Sequence, residues 1–213
     1  MTPGFHWTLR PSVKEDDPVL KAFPAELPLL VKQLLLQRGF TGGMETELFL
    51  DPRLSHLSDP FLMGEMRAAV DRIFRAVDEG ETVCIYGDYD VDGVTSVALL
   101  RAILMAYDLD PQYFIPVRSR EGYGLSEAGI KRCLCECADP PSLLITVDCG
   151  TSSVKEVDML NSLGIDVIIL DHHEAGPLGR PDAAAVVNAK IEENSPYTYP
   201  VSYTHLRAHE TSA

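Results

Sequence analysis

From residue 58 onward the chain alternates between short unbroken apolar runs and longer stretches in which apolar residues return every three or four positions. TVCIY (82–86), QYFIPV (112–117), LLITV (143–147), DVIIL (166–170) and AAVVN (184–188) are runs of the first kind. VTSVALLRAILMAY (94–107), SEAGIKRCLCEC (126–137) and SSVKEVDMLNSLG (152–164) are of the second. Continuous rather than alternating apolar character is expected of strands covered on both faces, and the intervening periods are helical. The pattern predicts an α/β fold, a doubly wound and mostly parallel sheet with right-handed crossovers. Ahead of it, SDPFLMGEMRAAVDRIFRAVDEG predicts one more helix, with Ser58 as N-cap, Gly80 as stop, and Leu62, Met66, Ala69, Val70, Ile73, Phe74 and Val77 on its apolar face.

Residues 1–57 are different. Pro18, Pro24 and Pro28 punctuate them, and Leu29, Leu30, Leu34 and Leu35 offer an apolar face, which predicts a mainly helical N-terminal extension. The expected organisation is this extension, a catalytic-type domain over 58–200, and a tail over 201–213. VSYTHLRAHETSA has no periodicity and is expected to be foreign sequence following a truncation; its His205 and His209, four apart, are expected to be incidental.

Composition narrows the function classes. A hydrophobic share of 46% supports a packed core, and a net charge of −14 excludes nucleic-acid binding by general electrostatics alone. Binding a phosphate chain would require bound metal or a local basic patch. MTPGFHWTLR lacks a signal-peptide core, and LPLLVKQLLL is too short and too interrupted to span a bilayer, so a soluble cytoplasmic protein is expected. Five cysteines, an odd count, predict free thiols. CLCEC (133–137) resembles a metal motif, but one-residue spacing near a helix end points alternate side chains apart. Ordinary thiols are expected there, with Cys84 and Cys149 as small core residues.

Ligands of open parallel sheets bind beyond the carboxyl ends of the strands. After TVCIY comes GDYDVDG with Asp88, Asp90 and Asp92; after LLITV comes Asp148; after DVIIL come Asp171, His172 and His173. The predicted fold gathers all of them on one rim. Carboxylate with imidazole suits a hard divalent ion, manganese or magnesium, and zinc less well without a thiolate. At least four acids leave room for two ions, an arrangement that activates water and stabilises phosphoryl oxygens. Gly93 and Gly150 would let backbone approach a ligand.

Each piece has a simpler account when taken alone. Asp88-x-Asp90-x-Asp92-Gly93 fits the start of a calcium loop, but the twelfth position is Leu99 where a glutamate is required, and a strand precedes it. Asp90-Val91-Asp92-Gly93 could supply an aspartyl nucleophile, which leaves Asp171-His172-His173 unexplained. Asp148 could be a helix cap, and paired histidines could be structural. Joint placement favours the metal site.

GDYDVDGVTS, ITVDCG and LDHHE, in this order, resemble the first three motifs of the DHH phosphoesterases, and within them the bacterial exonucleases specific for single-stranded DNA. WTLRP, FLDPRL, IPVRSREGYGLS and DAAAVVNAK extend the likeness from about Trp7 to Pro200. The resemblance implies metal ligation, normally of manganese, by Asp90, Asp92, Asp148 and His172. It implies that Asp88 and Asp171 orient ligands and water, and that His173 acts on the scissile phosphate or the leaving group. Arg118 and Arg120 are implied phosphate contacts. The implied reaction is stepwise hydrolysis of single-stranded DNA from its 5′ end in repair and recombination. A fourth acidic motif is expected beyond Pro200 and does not occur, so the chain alone is expected to be inactive. Short oligonucleotides or cyclic dinucleotides are an alternative substrate class, and a non-catalytic metal- or nucleic-acid-binding module is a second alternative.

Overall fold

The computed structural model describes Val13, Lys14 and residues 16–191. The tail over 201–213, with His205 and His209, lies outside the described residues, as does Trp7. The chain divides into two compact units between Leu57 and Ser58.

The first unit carries helices α1 (Leu29–Gln37) and α2 (Met44–Leu50) after a short 3-10 turn at Pro18–Ala22. Leu20, Phe23 and Leu35 are buried in it, and Phe40 lies 4.6 Å from Phe49, centroid to centroid.

The second unit is the expected α/β sheet. Its elements are α3 (Met66–Glu79), β1 (Val83–Gly87), α4 (Val91–Ala106), β2 (Gln112–Phe114), α5 (Arg118–Glu121), α6 (Glu127–Glu136), β3 (Leu143–Val147), α7 (Val154–Ser162), β4 (Asp166–Leu170) and β5 (Ala185–Val187). All five strands are parallel, in the order β2-β1-β3-β4-β5. Alternate strand residues feed opposite faces. Val83 and Ile85 of β1 pack with Ala69 and Ala76 of α3 and Val97 and Leu104 of α4. Cys84 and Tyr86 pack with Ile130 and Cys133 of α6 and Val157 and Leu160 of α7. Two helical layers therefore sandwich the sheet. No helix among the described residues is long and apolar enough to cross a membrane.

Three local expectations need correction. Ser58 does not cap α3. Asp59 caps a 3-10 turn at Pro60–Leu62 by accepting from Phe61 N, and the helix begins only after Glu65, whose φ is 57°. Glu65 is held there by distant partners: its carboxylate accepts from Val186 N at 2.7 Å and pairs with Arg180. Tertiary bonds outside the window override the local pattern. Second, α4 starts at Val91 rather than Val94, because Asp90 accepts from Asp92 N (2.8 Å) and Gly93 N (3.1 Å) as a helix cap. Third, β2 stops at Phe114, ahead of Pro116, and the chain then enters the four-residue α5.

The register of the sheet sets up everything that follows. Gly87 pairs with Val147, Val147 with Leu170, and Leu170 with Val187. The next residues in the four strands are Asp88, Asp148, Asp171 and Asn188. Asp148 N and Asp171 N donate to Leu170 O and Val187 O, which carries the ladder into that polar row.

Candidate metal centre

Strand order reverses between β1 and β3, one pairing with β2 on its far side and the other with β4. A parallel sheet opens a crevice at such a switch point, and here the crevice is flanked by Asp88 and Asp148. Both are 1% exposed. Gly93 sits tightly against Asp88: a Cβ there would collide with the Asp88 backbone. Asp148 adopts φ 62°, a left-handed backbone uncommon for a residue with a side chain, and turns its carboxyl toward β1 and β4.

Two sets of ligand atoms converge, each within 4.8 Å: Asp88, Asp90 and Asp148 in one, and Asp148, His172 and His173 in the other. Asp148 belongs to both. Neither of its oxygens accepts a hydrogen bond from the described residues, and Asp88 Oδ2 is equally bare. His172 Nε2 lies 3.0 Å from Asp148 Oδ1 without hydrogen-bond alignment. Adjacent ligands of a hard octahedral ion at about 2.1 Å stand about 3.0 Å apart, so the separation suits shared coordination.

The electrostatics agree. Burial pushes the Asp148 carboxyl up to about 8; the charge of Asp90, a proton shared with that carboxylate, and the charges of Asp92 and Asp171 add to it. Burial also raises Asp88, with Asp90 and Asp171 contributing. Buried carboxylate oxygens that lack donors, on groups that repel one another, fit a cationic occupant. The residues present therefore suit hard divalent ions.

Asp171 is built differently. Its Oδ1 accepts from His172 N (2.7 Å), His173 N (3.2 Å) and His173 Nδ1 (2.7 Å), and its Oδ2 accepts from Thr151 N (2.9 Å). Burial pushes its carboxyl up, but the bonds from Thr151, His173 and His172 outweigh burial and hold it below the usual range. An ionised carboxylate can only accept, so the His173 Nδ1 carries a proton, and in the neutral ring Nε2 is the acceptor. Tyr123 Oη lies 2.7 Å from that Nε2. Asp171, His173 and Tyr123 form a chain whose two outer members fix one imidazole tautomer. Burial, then the charges of Asp88, Asp171 and Asp148, push the Tyr123 phenol up to about 12, so it keeps its proton.

Of the expected site residues, the structure brings Asp88, Asp90, Asp148, Asp171, His172 and His173 together. Asp92 belongs to neither ligand set; it lies in the first turn of α4 and acts on Asp148 through its charge. Arg118 lies over the Tyr89 ring at 5.3 Å and so borders the site, whereas Arg120 is exposed with no ion pair among the described residues. Sequence reasoning missed Tyr123, Tyr89, Thr151 and Asn188. Tyr89 and Tyr123 meet edge to face at 6.4 Å as an aromatic wall. Asn188 is buried and donates to Thr151 Oγ1 (2.8 Å) and His173 O (2.9 Å), bracing the histidine loop. Tyr123 had a signal, its place in GYGLS; Asn188 had only its position one residue past a short strand.

Comparison with known proteins gives consistent matches. The profile of the DHH family, N-terminal domain, covers residues 82–211. The single-stranded-DNA-specific exonuclease RecJ of Bacillus subtilis is 40% identical over 179 residues, 83% of this chain but 22% of that protein. A crystal structure of exonuclease RecJ bound to manganese superposes with TM-score 0.57 and 30% identity, over 74% of this chain and 40% of that one. RecJ of Thermus thermophilus in complex with Mn2+ matches with TM-score 0.56 and 28% identity, over 88% of this chain and 26% of that one. The chain thus spans about a fifth of the Bacillus protein's length.

Proposed function

The chain belongs to the DHH family, and from that premise we propose that its rim of acids and histidines is the metal-binding part of an exonuclease that hydrolyses single-stranded DNA stepwise from the 5′ end. The observation that carries this reading is the pair of ligand sets hinged on Asp148, whose buried oxygens have no donors among the described residues. The RecJ relatives, named for single-stranded DNA and solved with manganese, support the substrate class and the ion.

Asp88, Asp90, Asp148 and His172 would hold two divalent ions, manganese or magnesium. When bound, such ions offset the carboxylate charge, polarise phosphoryl oxygens and lower the pKa of water. Asp92 adds negative charge at the start of α4. Asp171 fixes His173 with its Nδ1 protonated, leaving Nε2, with the Tyr123 hydroxyl beside it, to hold or hand over a proton at the leaving oxygen. Tyr89 and Tyr123 supply faces on which unpaired bases stack. Arg118, and Arg120 further out, neutralise backbone phosphates. Five unpaired thiols suit a reducing compartment, and we take the protein to act in the cytoplasm on single-stranded DNA.

The chain spans about a fifth of the Bacillus protein's length. The test therefore uses a chimera in which residues 7–200 replace the matching segment of the Bacillus RecJ. With Mn2+ it should release nucleotides from a 3′-labelled single strand beginning at the 5′ end, and Asp90→Ala or His172→Ala should abolish this. A folded, manganese-loaded chimera that cuts only dinucleotides would shift the reading to short substrates. One that binds DNA and cuts nothing would make this a binding module.

A further inference from the structure

Outside the metal centre, three of the five cysteines converge. Cys84 is the second residue of β1 and points into the layer occupied by α6. Cys133 and Cys137 are four apart at the end of α6, so they share its inner face. Cys84 Sγ lies 3.5 Å from Cys133 Sγ and 3.8 Å from Cys137 Sγ, and all three sulfurs fall within 4.8 Å of one another. CLCEC carries the expected free thiols, and alternate side chains do point apart. Its outer two cysteines do face one point, their partner comes from a strand 49 residues earlier, and only Cys135 is exposed and apart.

We propose that Cys84, Cys133 and Cys137 form a binding site for zinc(II). Thiolates around zinc at about 2.3 Å sit about 3.8 Å apart in a tetrahedron, which matches the two sulfur separations. Cys84 and Cys133 are buried, while Cys137, the residue that caps the end of α6, is half-buried and gives the cluster its opening to solvent. The fourth position at that corner falls to an exchangeable ligand. An all-sulfur set selects a thiophilic ion and rejects manganese and magnesium, which need the oxygen donors at the strand ends. The two sites are separate: Cys84 precedes Asp88 by four residues, about 13 Å of extended chain.

The position also gives the ion a structural task. Tyr86, next along the same face of β1, donates to Gly124 O in the loop that carries Tyr123. Gly129 of α6 packs so closely on the Tyr86 hydroxyl that a Cβ would collide with it. A zinc joining β1 to the far end of α6 clamps that helix at both ends and steadies the Tyr123 loop.

The test uses the full chain, reduced and metal-free, titrated with Co(II) as a coloured substitute for zinc. One equivalent should produce thiolate-to-cobalt charge-transfer absorption that one equivalent of Zn(II) removes and excess Mn(II) does not. Cys133→Ala and Cys137→Ser should lose the band, while Cys135→Ser and Asp148→Asn keep it. If Cys133→Ala fails to fold by circular dichroism, the half-buried Cys137→Ser is the variant to read. Absence of the band in the wild type, its survival in folded Cys137→Ser, its loss in Asp148→Asn, or oxidation of Cys84 and Cys133 to a disulfide in place of metal uptake would each overturn the proposal.

Discussion

Replacing Asp148 by asparagine removes the charge that both ligand sets share while keeping shape and volume. In metal-free protein the change should stabilise. The folded-state pKa of Asp148 rises from an ordinary 3.8 to about 8, with burial as the main cause and neighbouring carboxylates adding. A raised acid binds its proton more tightly when folded, so its contribution is intact below the unfolded value and is lost as pH climbs toward the folded one. Each pH unit in that window is worth about 1.4 kcal/mol, so the wild type should lose up to about 4 kcal/mol relative to the variant between pH 5 and pH 8. Relaxation and water entry reduce that ceiling; about 2 kcal/mol would still be plain in urea denaturation followed by circular dichroism with a chelator present. Saturating Mn2+ should reverse the order, because only the wild type gains the ions. Parallel pH profiles for the two proteins, differing by less than about 0.5 kcal/mol at pH 8, would refute the claim that Asp148 is a buried charge awaiting a cation.

Gly93→Ala drives a methyl into the Asp88 backbone and should destabilise by about 1–3 kcal/mol, with weaker Mn2+ uptake measured by calorimetry. Tyr123→Phe removes the hydroxyl at His173 Nε2; in the chimera, turnover should fall about 10–100-fold with the manganese stoichiometry unchanged, separating a proton role from metal binding. Arg72→Ala leaves the half-buried Glu81, which Arg72 holds at 2.8 Å, with the Ser142 hydroxyl in place of its counter-charge, and frees Asp166; thermal and urea unfolding should register a loss of about 3 kcal/mol with no change in metal affinity.

The sheet was legible because its strands are short unbroken apolar runs: β1, β3 and β4 fall within a residue of their expected bounds. Their carboxyl ends therefore place Asp88, Asp148 and Asp171 in one row on the hydrophobic pattern alone. What periodicity cannot encode is a partner far away in sequence. Glu65 delays α3 because Val186 and Arg180 hold its carboxylate. Asp171 looks like any other acid in the string, yet four hydrogen bonds from Thr151, His172 and His173 occupy it, while Asp148 keeps bare oxygens. The distinction between ligand and orienter lies in those bonds. The same reason hid Cys84 from CLCEC and Asn188 from the histidine loop.

Electron paramagnetic resonance of the full chain titrated with Mn2+ tests the central claim most directly, since it counts ions and detects whether they are neighbours. Two ions per chain with an exchange-coupled spectrum, collapsing in Asp148→Asn, is the predicted result. A single uncoupled ion, or uptake indifferent to Asp148→Asn, would mean that the strand-end acids do not share cations through that residue.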